Sequence, residues 1–349
     1  MGVSDHKCLA CNASLKFDPK SQKWICDYCG SEFTLKDFRD EKGKKKNVRI
    51  SKNKGYMEYC CPDCGAKIVM NENTAATECV YCGNSAIILD HLEGEFKPNR
   101  VIPFKLTKED AIAAYGKHTK RKIFMPKAFS DRKNIEKVTG IYVPFYLFDM
   151  KVNGYLNAEG VHVTKWINGN YRVVKSEYYD VVRDGIMFFD KIPTDASKKM
   201  GDDIMDSIEP YDYEGLTRFD ISYMSGFVAE KYDLNDNELV NRASGRAKES
   251  AKRLLLDSVE GYSTKTLKAY DEDVFVNGKP EYVMLPVWLL NIKYEGKMYT
   301  MAMNGQTGKF VGNVPISKRK VAAYWFSITA VISLIICILS FISVVVGVI

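Results

Sequence analysis

Apolar and polar positions change their period several times along this chain, and each change predicts a different element. From Val321 to Ile349, "VAAYWFSITAVISLIICILSFISVVVGVI", 29 residues carry no charge, more than the ~20 that a helix needs to cross a bilayer. A transmembrane helix is predicted over 321–349. Upstream, from Asn235, Leu239, Ala243, Ala247, Ala251, Leu254 and Leu255 fall on one helical stripe. Asn235 with Glu238 forms a capping box at its start, and Gly261 closes it. Thr107-Lys-Glu-Asp110 caps an earlier helix carrying Ala111, Ile112, Ala114 and Tyr115, which ends before Pro126. Strand-like runs occupy Ile141 to Val152, Tyr155 to Ile167, Tyr171 to Arg183, Tyr282 to Tyr294 and Lys297 to Met303. Asn-Gly pairs at 153, 168, 277 and 304 mark tight turns, so hairpins rather than crossovers are expected to dominate.

Two of those runs look alike. "IYVPFYLFDMKVNG" at 141–154 aligns with "VMLPVWLLNIKYEG" at 283–296, with Pro144/Pro286, Leu147/Leu289, Lys151/Lys293 and Gly154/Gly296 identical and Tyr146 matching Trp288. The expected class is therefore α+β: a mixed region of two related subdomains, 95–220 and 221–316, preceded by metal-bound modules and followed by the membrane helix. The aromatic stripe fits core packing better than a ligand face.

The N-terminal third lacks such periodicity and is organised by cysteine instead. Cys8/Cys11 with Cys26/Cys29, and Cys61/Cys64 with Cys79/Cys82, form two sets at an offset of 53, each with 14 residues between its pairs. Ala13/Ala66, Tyr28/Tyr81 and Gly30/Gly83 repeat at the same offset, which marks a duplicated unit. Such spacing suits a hairpin that folds back until four thiolates meet one tetrahedral ion. Two tandem zinc ribbons are predicted, at 1–38 and 56–92, holding two structural zinc ions in closed shells with no open catalytic position. Cys60 falls outside the offset and reads as a spare thiol; His6 reads as a solvated residue. Leu15, Phe17, Trp24, Ile25 and Phe33 are too few for an independent core, so metal must supply folding free energy.

Charge refines this picture. The net charge is +6, with 46% apolar residues, which excludes a disordered chain. Lys42 to Lys54, within a linker over 39–55, carries seven basic residues and no acidic one. It is either a phosphate-binding strip, for nucleic acid or anionic lipid, or a solvated spacer. Asp202 to Glu214 carries six acidic residues and no basic one, and Asp202, Asp203 and Asp206 either gather a cation or, the commoner case, form the acidic face of a short helix. Lys318, Arg319 and Lys320 precede the apolar tail, with Tyr324 and Trp325 at interfacial positions; the positive-inside rule then places everything before residue 320 in the cytosol. The expected location is the cell membrane, single-pass, where reduced cysteines agree with a cytosolic head.

Catalytic constellations are missing. "NGQTGK" at Asn304 to Lys309 lacks phosphate-loop spacing and reads as a hairpin turn, and His6, His91, His118 and His162 form no pair. The phrases "VIPFKLTKEDA" from Val101, "MPKAF" from Met125, "IYVPFYLFD" from Ile141, "AEKYDL" from Ala229 and "LPVWLLNIKYEGKMYTMAMNGQTGKFVGNVPISK" from Leu285 resemble a bacterial family labelled as transcription factor IIB-type zinc-ribbon-containing membrane proteins. The resemblance spans nearly the whole chain and implies the same layout of ribbon, cytosolic α+β region and membrane helix. A helicase label attached to that family on the ribbon alone has no support in a chain without a nucleotide-binding loop. The expected function is a non-enzymatic scaffold at the inner membrane face, recruiting a protein or nucleic acid. The alternatives are a nucleic-acid-binding factor using the basic linker, and an enzyme with a site between the subdomains.

Overall fold

A computed structural model of the 349-residue chain describes residues 7–38, 74–77 and 97–342 with their side chains. It gives the backbone alone for 2–4, 46–47, 50–53, 56–60, 67–71, 78, 85–88 and 343–346. The helices are α1 (Lys108–Thr119), α2 (Arg132–Ile135), α3 (Asp202–Ser207), α4 (Asp236–Asp257) and α5 (Lys318–Val346). Both expected capping boxes form: Thr107 with Asp110 opens α1, and Asn235 with Glu238 opens α4. α4 buries Leu239, Ala243, Ala247, Ala251 and Leu255. Leu254 departs from the expected stripe and is exposed.

One strand of 30 residues, Thr139–Asn168, organises the sheet. It pairs antiparallel with Tyr171–Asp195, Thr264–Val276 and Glu281–Tyr294, and parallel with Val228–Glu230. Arg100–Val101 also runs parallel to its neighbour Glu281–Tyr294. At its start the strand is covered on both faces. Tyr142, Tyr146, Phe148 and Met150 join one core with the stripe of α4. Ile141, Val143, Phe145 and Leu147 join a second with Met205 and Ile208 at α3. Burial on both faces explains why "IYVPFYLF" is a continuous apolar run rather than an alternating one.

The two similar segments are neighbours in this sheet. Val143 pairs with Leu285, Tyr142 with Pro286 and Pro144 with Met284, so the pairing is symmetric about Val143/Leu285. Tyr146 and Trp288 lie in the core, as the packing interpretation required, and the Trp288 indole donates to the Leu106 carbonyl at 3.1 Å.

Three of the four Asn-Gly pairs sit at turns, with Gly169 and Gly278 at positive φ and Asn304 accepting from the Gln306 and Thr307 amides. Asn153-Gly154 does not turn; the strand runs straight through it. Glycine is needed there for close approach: a Cβ on Gly154 would lie 2.8 Å from Leu255 Cδ1 and 3.1 Å from Met187 Cε. Gly154→Val is therefore expected to push α4 off the strand and to lower stability by about 1–3 kcal/mol. Urea unfolding checks it, and an unchanged midpoint would remove this account of the glycine.

Candidate metal centre

The first cysteine set is assembled by three short strands, Leu15–Asp18, Lys23–Cys26 and Glu32–Phe33, paired antiparallel in that order. Cys8 and Cys11 sit on a turn before the first strand, closed by Cys8 N–H to Ala13 O (2.7 Å) and Asn12 N–H to Cys8 O (2.8 Å). Cys26 and Cys29 sit on a matching turn after the second, closed by Gly30 N–H to Cys26 O (2.9 Å) and Cys26 N–H to Ser31 O (3.0 Å). Each turn has a residue at positive φ just after its second cysteine, Asn12 (63°) and Gly30 (73°). A Cβ on Gly30 would meet nothing, so backbone conformation alone favours glycine there.

These turns bring the four sulfurs within 4.8 Å of one another. Cys8 and Cys29 Sγ are 3.5 Å apart, as are Cys11 and Cys26 Sγ. Tetrahedral ligation with metal–sulfur bonds of about 2.3 Å places sulfurs about 3.8 Å apart, so the cluster can hold a metal ion with small adjustments. The four thiols are not equivalent. Ser31 hydroxyl, 3.2 Å from Cys29 Sγ, and the Ser31 backbone hold Cys29 down to about 6. Cys11 is pushed up to about 12: the Ala13 backbone acts to lower it, but burial and the sulfurs of Cys29, Cys26 and Cys8 outweigh that. A cation among the sulfurs favours the thiolate form of all four.

The cluster is fixed to the main sheet. Trp24 is buried, donates to Ser222 O at 2.9 Å, and packs its ring 5.1 Å from Phe17, 5.3 Å from Tyr223 and 5.5 Å from Phe38. Phe17 N–H donates to Ser225 O, and Gln22 Nε2 to Phe104 O. The four-cysteine module thus completes its small core by sharing that of its neighbour. Cys61, Cys64, Cys79 and Cys82, and with them the expected second ion, lie outside the described residues, as do His6 and His91. So do the side chains of the basic run from Lys42 to Lys54.

The acidic patch has a partner that local sequence reading missed. Arg242 on α4 donates to Asp195 (2.6 Å) and Asp206 (2.7 Å) and lies 3.0 Å from Asp202. Arg246, one turn later, binds Glu209 through both nitrogens and the Pro193 carbonyl. The cation that gathers these carboxylates is a guanidinium. Only the spacing of two arginines beside the apolar stripe signalled it.

At the other end, α5 contains a 25-residue stretch, Lys318–Ile342, long and apolar enough to cross a membrane, and none of its apolar window is buried against the chain. Its first turn is held by Ser317 N–H to Phe124 O (2.8 Å), Lys320 Nζ to Met125 O (2.7 Å) and the Tyr324 ring 5.3 Å from Phe124.

No known family profile matches this sequence, and no solved structure resembles it. The uncharacterized protein YdjG of Bacillus subtilis (strain 168) is 34% identical over 328 residues, covering 93% of this chain and 94% of that protein. With such identity across nearly the whole of both proteins, this chain belongs to the YdjG family.

Proposed function

We propose that the protein is a membrane-anchored cytosolic scaffold that uses zinc-folded ribbons to recruit a protein or nucleic-acid partner to the inner face of the cell membrane. The observation that carries this reading is the bare apolar surface of α5, which finds no cover among the described residues and has Lys318, Arg319 and Lys320 at its cytosolic end. Zinc suits the four-thiolate set, whose shell is complete without water or substrate and so folds a module rather than running a reaction. Cys61, Cys64, Cys79 and Cys82 would hold a second such ion. The resemblance to zinc-ribbon membrane proteins favours the same layout. The scaffold acts without catalysis, since the two ends of the chain supply a tether and a recognition head.

Cross-linking the intact protein in its native membrane, beside a Cys8→Ser, Cys11→Ser variant, tests the proposal. The protein is expected in the membrane fraction in both forms, with specific partners lost from the variant. Recovery of the same partners from both would reduce the first ribbon to a fold staple. Nucleic acid among the lost partners would favour the phosphate-binding alternative, and an intact chain in the soluble fraction would end the membrane assignment.

A further inference from the structure

Beyond Met150 the strands Thr139–Asn168, Tyr171–Asp195 and Thr264–Val276 continue as a three-stranded blade covered on one face only. α4 and the segment after it take the face of Leu156, Ala158 and Val181 through Leu255 and Val259. The alternate positions face away. Along Tyr171–Asp195 the pattern is plain: Val182, Asp184, Ile186 and Phe188 are exposed, whereas Val181, Arg183, Gly185 and Met187 are not. Tyr178 and Ile167 share the open face, 68% and 80% exposed. Exposed large apolar side chains gathered on one face mark an interaction surface. Twelve rows of three strands, at ~4.8 Å between strands and ~3.4 Å per residue, with the two-stranded tip, give a face of about 800 Å². That matches the share of one partner in a standard interface, about 800 Å².

Unpaired charge on this face gathers at its two ends; between them the Lys268 ammonium lies 3.0 Å from Glu159 and 2.8 Å from Asp180, and Lys151 at the base lies over the Phe275 ring. Tyr155 pairs with Asp184 and Asp271, and Asn153 with Ile186 and Asp273, so three carboxylates share the base of the blade. They line a notch of about 270 Å³ over Gly154 and Gly185. Among the described residues none of the three has an ion-pair partner. At the tip, on the same face, Lys165 pairs with Val174 and Arg172 with Ile167. The matched acidic and basic groups are ten rows apart (Tyr155 row to Lys165 row) and fourteen rows apart (Asn153 row to Ile167 row), and both pairs centre on Gly160. Asn153 and Asn157 add two enclosed Oδ1 acceptors without a hydrogen-bond partner on this face.

We infer that the open face of the blade binds a second copy of this chain, turned end for end, so that Lys165 and Arg172 of each copy lie over the Asp184/Asp271/Asp273 notch of the other. Two twisted sheets pack face to face about 10 Å apart, and a two-fold axis near Gly160 makes every contact occur twice. The middle, with Tyr178, Val182 and the ion pairs that Lys268 makes with Glu159 and Asp180, is buried between the copies. Asn153 lies opposite Arg172, which supplies a donor. A basic peptide would satisfy the notch but meet Lys165 and Arg172 at the tip, and an anionic membrane surface would meet the carboxylates. The chain itself presents both charges in the complementary order.

Sedimentation and light scattering of the full-length, detergent-solubilised protein read the outcome. The wild type is expected to dimerise. Asp184→Lys with Asp271→Lys, and separately Lys165→Glu with Arg172→Glu, are each expected to raise the dissociation constant at least about tenfold by placing like charges together. Mixing the two variants, differently tagged, restores a mixed dimer to within about threefold of wild type, because both contacts of the hetero pair regain opposite charge. Val182→Ser with Ile186→Ser, which changes no charge, weakens the dimer as well. A monomeric wild type overturns the proposal. So do variants that dimerise as the wild type does, which would point to α5 instead, and so does a mixture that stays apart. Far-UV circular dichroism matching the wild type shows that exposed substitutions leave the fold intact.

Discussion

Stripping the metal from Cys8, Cys11, Cys26 and Cys29 is expected to unfold residues 7–38 and release Trp24 into water. The module has three strands of four residues or fewer and buries only Leu15, Phe17, Trp24 and Phe38 as large side chains. Structural zinc in isolated modules contributes about 10–16 kcal/mol of apparent binding free energy, a term as large as or larger than four side chains supply at about 1.5–3 kcal/mol each. Without the cation, the sulfurs 3.5 Å apart have no bond holding them, and the turns at Asn12 and Gly30 lose their cross-link. Docking of Trp24 against Phe17 and Tyr223 depends on the strand between those turns, so its indole should leave Ser222 as the turns open. The readout is a red shift of tryptophan emission on adding a chelator, with release of the metal bound by these four cysteines. A Trp24→Phe variant should lose that shift while still releasing zinc, and Cys11→Ser should show the shifted emission from the outset. Emission unchanged by complete chelation would mean that packing alone holds the module.

Local rules explain what could be seen in the sequence. Cysteine spacing fixed the first cluster because ligand geometry demands turns of set length, and the boxes at Thr107/Asp110 and Asn235/Glu238 announced α1 and α4 through bonds made within three residues. Long-range contacts hid the rest. Asn153-Gly154 has turn chemistry, but its glycine answers to Leu255 about a hundred residues later. The acidic face of α3 reads as solvated until Arg242 and Arg246 arrive from α4. The open face of the blade is invisible as a site in sequence, since alternation there could belong to any half-buried strand; only the uncovered register reveals it. For the same reason "IYVPFYLF" announced a core strand but not that both of its faces are covered, nor which helices cover them.

Replacing Arg242 with alanine is expected to lower the stability of the sheet by about 3–5 kcal/mol, the usual result of leaving one member of a buried pair alone. The Asp195 side chain is 1% exposed, and its Oδ1 rests on Arg242 Nη1 at 2.6 Å, while its Oδ2 has no hydrogen-bond partner. Burial pushes this carboxyl up and the Arg242 charge draws it back, so removing the arginine leaves the anion with nothing to offset its burial. Arg242→Lys should also fall short, because an ammonium cannot reproduce the fork that spans Asp195 and Asp206. Asp195→Asn in the alanine background removes the orphaned charge and should recover about half of the loss. Arg246→Ala should be milder, since Glu209 is 14% exposed and can turn toward water. Urea unfolding of the full chain in detergent, followed by circular dichroism, separates these four variants. If Asp195→Asn with Arg242→Ala is no more stable than Arg242→Ala alone, the loss comes from the arginine's packing on α4 and not from an uncompensated carboxylate.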